Sequence, residues 1–305
     1  MHDVFFIVGP TATGKSEAAA EVARELDAEI VNADAFQIYR GLDLLTAKPD
    51  ATTLAKVPHH LIGTTSILEE MNAEKFRKLA LQAISEIHSR GKLAIGVGGS
   101  GLYIKALTHG LSAAPGSDSK TRSKLNKLTL EELRARLKNV DPERARKIDM
   151  NNRRRMTRAL EICLLTGKPA STQRTEWSAA EMTAARGVFV SRDRDELYER
   201  INRRVEKMFE AGVIEEVHAV GATSETALKM IGLREIRELI DGKMSIWQCI
   251  AQIQQATRRY AKRQLTWFRR QTNFQPLNLS VLRHVESVKR ISQLAKTLGA
   301  AQGND

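Results

Sequence analysis

Cysteine is nearly absent from this chain of 305 residues. Cys163 and Cys249 are the two it has, far apart and without a CxxC neighbour. That excludes a disulfide framework and a Cys/His zinc module, and leaves two core thiols in a reducing compartment. Long apolar runs are also missing. None reaches the ~18 residues a membrane-spanning helix needs. The N-terminus has no cationic stretch followed by a cleavable apolar one. A cytoplasmic protein without a membrane partner is the expectation. Acidic residues are in short supply, 36 against 48 Lys plus Arg, for a net charge of +12. Such an excess suits a polyanionic partner, nucleic acid before membrane. Internal repeats and low-complexity tracts are lacking too, and no feature specifies an oligomer, so a monomer is expected.

What is present begins with VFFIVG (Val4–Gly9), a short apolar run ending in glycine, as a buried parallel strand reads. Gly14 to Leu26 carries alanine, glutamate and leucine at helical spacing. EIVNAD (Glu29–Asp34) reads as a second strand and KLAIGVGGSG (Lys92–Gly101) as a third, ending in a glycine-rich turn. Between them, residues 72–90 form an amphipathic helical pattern with Phe76, Leu79, Ala83, Ile84 and Ile87 on one face. Alternating strands and helices predict a parallel α/β sheet with helices on both faces. From about Ala114 the character changes. Residues 114–186 hold 17 basic and 9 acidic residues, whereas residues 1–113 hold 11 and 13. GVFVSRDR (Gly187–Arg194) reads as a strand returning to the sheet. The expected organisation is therefore a core of 1–113 and 187–290 with a helical C-terminal part, an all-helical basic insertion at 114–186, and a tail at 291–305.

GPTATGKS fills the pattern G-x-x-x-x-G-K-[ST] in full, behind a strand and opening a helix. The loop Gly9, Pro10, Thr11, Ala12, Thr13, Gly14, Lys15 and Ser16 is a phosphate nest at a helix N-terminus. Lys15 adds a point charge, and the Ser16 hydroxyl suits Mg2+ bridged to phosphate oxygens. Ligands of an open α/β sheet sit beyond the carboxyl ends of the strands. Asp34 and Ser100 end two other strands on that side, so one crevice receives a nest, a carboxylate and a hydroxyl. A turn aspartate and a turn serine are the bland alternatives. No second apolar strand ending in Asp or Asp-Glu accompanies a water-positioning group, which argues against a nucleotide-hydrolysing motor or switch. A kinase using ATP, or a transferase using the loop for another phosphate-bearing donor, remains.

The order of further motifs is more specific than any one of them. GPTATGKS is followed by NADAFQIYRGLDLLTAKP, VPHHLIG, VGGSGLYIKALTHGL, NNRRRMTRALEI, RDRDELYERINRRVEKMFEAGVIEEV and ATRRYAKRQLTWFRR. From Val4 to about Phe274 the chain resembles the tRNA dimethylallyltransferases, the isopentenyltransferases that modify the adenine next to the anticodon. The resemblance implies that the loop holds the diphosphate of dimethylallyl diphosphate and that Mg2+ assists its departure. It implies that Asp34, Ala35, Phe36 and Gln37 lie in the base-recognition stretch and that Ser100 supplies the hydroxyl that contacts the target base. It implies tRNA contacts at Arg122 and at Arg154, Arg155, Met156, Thr157 and Arg158, the partner being the anticodon stem-loop with its target base extruded. Lys15 and the loop amides would stabilise the departing diphosphate, and Asp34 is suited to take the proton of the adenine amine. The alternative for the arginines is a solvated helix face. The basic tail TRRYAKRQLTWFRR interleaves Tyr260, Trp267 and Phe268 with six cations, which suits phosphate contact and base stacking or, for the aromatics, core anchoring.

The chain departs from the family pattern at four places. Ala35 replaces a serine, Leu45 a glycine, Gly63 an acid, and Ser100 a threonine. VPHHLIG and VGGS also resemble the adenylate isopentenyltransferases that act on free AMP, the nearest rival. A small-molecule kinase explains GPTATGKS and Asp34 but not the basic insertion. A tRNA-binding protein without activity would leave Lys15 and Asp34 idle.

Overall fold

The computed structural model describes residues 4–111, 115–172, 186–271 and 273–299. Among them six strands form one parallel sheet, β1 (Val4–Val8), β2 (Glu29–Asn32), β3 (His59–His60), β4 (Ala94–Gly98), β5 (Arg186–Ser191) and β6 (Gln275–Asn278). Their order is β3-β2-β4-β1-β5-β6. β1 lies between β4 and β5, with Val8 level with Gly98 on one side and Phe189 on the other. The chain runs from β1 to one side of the sheet, returns, and then builds the other side. The direction of strand order therefore reverses around β1, which is where such sheets open a ligand crevice.

β1 is buried along its whole length, because both faces of the sheet are covered. Its side chains alternate between two cores. Val4, Phe6 and Val8 pack with Phe76 of α3 (Ala73–Ser89), Ile104 and Leu107 of α4 (Gly101–His109), Val205 of α9 (Arg194–Glu210) and Phe268 of α12 (Ile246–Phe268). Phe5 and Ile7 pack with Ala19 and Val22 of α1 (Lys15–Glu25) and with Ile291 and Ala295 of α13 (His284–Gly299). The buried face of α3 is Phe76, Ala80, Ala83, Ile84 and Ile87, so Ala80 replaces the half-buried Leu79 expected there. Asn72 caps that helix, its side chain accepting from the Lys75 amide at 2.9 Å.

The segment expected to be a tail from 291 is revised as far as 299. Its apolar residues recur at helical spacing, and Ser292 donates to Glu25 of α1 at 2.6 Å. Two strands escaped the sequence reading. β3 is two residues long, and β6 carries Pro276, tolerable because β6 is an edge strand with one free side.

The chain divides into two compact units, one of Met1–Thr108 with Thr183–Asp305, the other His109–Met182. The second is helical throughout its described residues, with α5 (Ser119–Asn126), α6 (Leu130–Val140), α7 (Pro142–Lys147) and α8 (Arg153–Thr166). Each helix starts at a polar side chain that accepts from its first turn: Asp118, Thr129, Asp141 and Asn152. Gly167 stops α8 with φ of 67°, a left-handed conformation that glycine adopts without a Cβ penalty. Leu125, Leu133, Leu137, Met156 and Leu160 form the unit's own core.

Candidate active site

The loop Gly9–Ser16 leaves the end of β1 and turns into α1. Gly14 takes φ of 90° and no side chain caps the helix, so the first amides of α1 stay open for an anion. Thr13 is fully buried and donates its hydroxyl to the Pro10 carbonyl at 3.0 Å, which closes the loop from inside. The Lys15 ammonium folds back to the same carbonyl at 3.3 Å.

Three arginines brace this loop on consecutive residues. Arg204 donates to the Thr11 hydroxyl at 2.9 Å, Arg200 to the Ala12 carbonyl at 2.8 Å and Arg192 to the Thr13 carbonyl at 2.8 Å. Arg200 and Arg204 are one helical turn apart on α9, hence on one face. Glu196 holds Arg192 at 2.5 Å. Among the described residues Arg204 has no acid bound to it, and its Nε is buried without a partner. Burial holds the Lys15 ammonium down to about 8, with Asp34 opposing the shift and Arg204 adding to it. Burial likewise lowers Arg204 to about 10, again opposed by Asp34 and reinforced by Arg200. Such a concentration of desolvated positive charge is costly unless an anion is bound.

The second wall comes from the ends of β2 and β4. Asp34 Oδ1 accepts from the Phe36 amide at 3.0 Å and the Gln37 amide at 3.4 Å. That bond set positions the carboxylate and leaves Oδ2 without a hydrogen-bond partner among the described residues. Ser100 Oγ accepts from the Ala35 amide at 2.9 Å, joining the two strand ends. The serine hydroxyl absent at 35 therefore costs the backbone no partner there. The Tyr260 hydroxyl reaches Ser100, and burial, with Asp34 nearby, raises its ionisation well above the usual phenol. Gln37 Nε2 donates to the Ala47 carbonyl at 2.8 Å and the Thr46 carbonyl at 3.3 Å. Two carbonyl acceptors fix that amide so that its oxygen points elsewhere.

The other departures from the family pattern have local causes. A Cβ on Gly232 would meet Leu45 Cδ1 at 2.8 Å, so Leu45 fills the space over a glycine. A Cβ on Gly63 would stand 3.5 Å from Lys48 Nζ, where an acid could pair with it; here Asp43 takes Lys48 at 2.5 Å.

α12 lies over both walls. Gln264 is buried, accepts from the Thr11 amide at 3.0 Å and donates to the Gly99 carbonyl at 2.8 Å. Trp267 packs so tightly on Gly101 that a Cβ there would meet its ring at 2.6 Å. Phe268 is a core anchor stacked on Phe189, with ring centroids 5.6 Å apart. Trp267 instead lines a basic cavity of about 470 Å3 with Arg259, Lys262, Arg263, Thr266 and Arg270. The basic tail thus splits by face, one aromatic inside and one beside the cations.

In the helical unit, Arg154 and Arg155 are exposed at the start of α8 and have no acid bound among the described residues. Arg122 and Arg158 are half-exposed and both bind the fully buried Glu161, at 2.9 and 2.8 Å. Arg158 also donates to the Pro115 carbonyl at 2.5 Å. The side chains of Met156 and Thr157 are buried in the unit's own core, withdrawn from the surface that Arg154 and Arg155 occupy.

The crevice therefore brings together Gly9–Ser16, Asp34, Ala35, Phe36, Gln37 and Ser100. Arg192, Arg200, Arg204 and Gln264 were not singled out by the sequence reading. The spacing of Arg200 and Arg204 on one helical face was the available signal. Both thiols are buried, and burial pushes Cys249 up to about 11, in keeping with inert core positions. No described helix is long and apolar enough to cross a membrane.

The chain is similar to known proteins over most of its length. The family described as IPP transferase matches residues 37–271. A tRNA dimethylallyltransferase of Akkermansia muciniphila is 44% identical over 268 residues, 87% of this chain and 90% of that protein. A tRNA dimethylallyltransferase 1 of Citrifermentans bemidjiense is 46% identical over 270 residues, 87% of this chain and 88% of that protein. Among solved structures, the full-length tRNA isopentenylpyrophosphate transferase of Bacillus halodurans aligns with a TM-score of 0.72 at 33% identity, covering 99% of both chains.

Proposed function

The chain belongs to the IPP transferase family, and from that premise we propose that it is a tRNA dimethylallyltransferase. It transfers the dimethylallyl group of dimethylallyl diphosphate to the exocyclic N6 amine of the adenosine 3′-adjacent to the tRNA anticodon, releasing diphosphate. The observation that carries the reading is the buried, unneutralised charge of Lys15 and Arg204 facing a carboxylate with one free oxygen. A diphosphate answers the first and an amine proton the second.

The reaction follows from that arrangement. The allylic C–O bond breaks and the diphosphate keeps its electron pair. Lys15, Arg204 and the open amides of α1 stabilise the charge as it develops. N6 forms the new C–N bond and passes its proton to Asp34 Oδ2. The Ser100 hydroxyl and the Gln37 amide oxygen are the groups left to read the base. Ser16 in the first turn of α1 offers a hydroxyl oxygen that fits Mg2+, an ion that retains waters and phosphate oxygens. Such an ion would offset charge on the leaving diphosphate. Arg154 and Arg155 supply phosphate contacts to the anticodon stem-loop, and Arg122 and Arg158 present what their bonds to Glu161 leave free. The protein acts as a cytoplasmic monomer.

A transfer assay with labelled dimethylallyl diphosphate, Mg2+, unmodified tRNA and free AMP in parallel tests this. Label should enter tRNA alone. Label in AMP alone would place the chain with the adylate-type rivals, adenylate isopentenyltransferases, and label in neither would return the loop to ATP chemistry.

A further inference from the structure

Gln264 has no part in the reaction just described, yet its side chain bonds to both walls of the crevice. Its Oε1 accepts from the amide of Thr11, in the diphosphate loop, at 3.0 Å. Its Nε2 donates to the carbonyl of Gly99, the residue before Ser100, at 2.8 Å. The two partners lie 253 and 165 residues away in sequence. The seat is closed around it, since a Cβ on Gly99 would stand 2.3 Å from Gln264 Nε2 and 2.8 Å from the Gly9 carbonyl. The amide is buried, and both of its hydrogen bonds run to main-chain groups, one on each wall. Thr11 is held by Arg204 through its side chain. Gly98, beside Gly99, accepts from the Gly9 amide at 3.2 Å.

We propose that Gln264 is a positioning residue that sets the spacing between the loop holding the donor diphosphate and the turn presenting the acceptor base. The inference rests on the function proposed above and names how that site avoids a side reaction. An allylic carbon leaving diphosphate is open to any nucleophile. If the amine stands at attack distance, the new bond is C–N. If the two walls lose register, water enters instead. The C–O bond to diphosphate still breaks, a water oxygen bonds to the carbon, and its proton is lost to solvent, giving dimethylallyl alcohol and diphosphate. A misplacement of ~1 Å is enough to lower productive attack of the order of 10²-fold. A buried glutamine that merely satisfied two backbone groups would affect folding but not the choice between amine and water.

The measurement is the ratio of dimethylallyl alcohol to prenylated tRNA formed from labelled donor with saturating unmodified tRNA and Mg2+. The ratio is a property of each turnover and does not depend on how much protein is folded. Gln264→Asn is one methylene too short to span both partners. Gln264→Glu keeps an acceptor for Thr11 but loses the donor to Gly99. Both should raise the alcohol fraction about tenfold or more over the unsubstituted chain. A fall in rate with an unchanged ratio in both variants would overturn the proposal. If the unsubstituted chain makes no prenylated tRNA, the function itself fails, and this inference with it.

Discussion

Arg204 and Arg154 carry the same charge and sit in opposite circumstances. Arg204 is desolvated, aimed at the Thr11 hydroxyl, and has a buried nitrogen without a partner. Arg154 is exposed at the start of a helix with no bound acid. Charge held rigidly and out of water is suited to one small anion in one place, and salt screens it little. Charge on long exposed side chains suits a polyanion approached in many ways, and salt weakens it steeply. Under the proposed function the crevice and the helical unit would answer two parts of one substrate problem: the diphosphate must be held still, while the RNA must first be found.

The largest expected effect is in the crevice. Arg204→Ala should lower kcat/KM for the donor by about 10²-fold, the loss typical of one preorganised donor to a developing anion. The KM for tRNA should change little, and the defect should be the same at low and high salt. A defect confined to tRNA binding would erase the contrast. Arg154→Ala with Arg155→Ala should do the reverse. It should weaken tRNA binding about tenfold at physiological salt and flatten the slope of log affinity against log salt by ~1.4, at about 0.7 per single-strand phosphate. An unchanged slope would place both arginines off the RNA.

The smallest effect sharpens the comparison through pH. With Lys15 at about 8, its charge is present below that pH and lost above it. A bound diphosphate favours the charged form, so it raises that value. Donor affinity should therefore be full near pH 7 and decline by several-fold as pH passes from 8 towards 9. Titration of inorganic diphosphate binding across that range measures it. Lys15→Arg should remove the decline, and a pH-independent affinity in the unsubstituted chain would show that Lys15 stays charged throughout.

The parts of the site that were legible in sequence are those whose chemistry is local. GPTATGKS, the strand before it and the helix after it are contiguous, and Asp34 caps its own turn. What stayed hidden depends on distant pairing. Arg192, Arg200, Arg204 and Gln264 meet the loop from 179 to 253 residues away. A cation on an amphipathic helix reads the same whether it faces solvent or a phosphate site. The fold shows a similar limit. β1 and β4 are continuous apolar runs, but β3 has two residues and β6 contains a proline, so neither carries a strand pattern. RRRMTR reads as one contact stretch, yet helical spacing sends Met156 and Thr157 inward while Arg154 and Arg155 stay outside.

α13 packs against α1, and Ser292 bonds to Glu25 across 267 residues of chain. During synthesis the helix that opens the phosphate loop is made 267 residues before the serine that covers it. At about 5–20 residues per second, the apolar flank of α1 waits on the order of tens of seconds for its partner. Until then the apolar flank of α1 lacks Ile291 and Ala295 against it. An earlier element of the fold thus waits on a later one, and a ribosome stalled before α13 would leave a chain with its loop made and the flank of α1 bare.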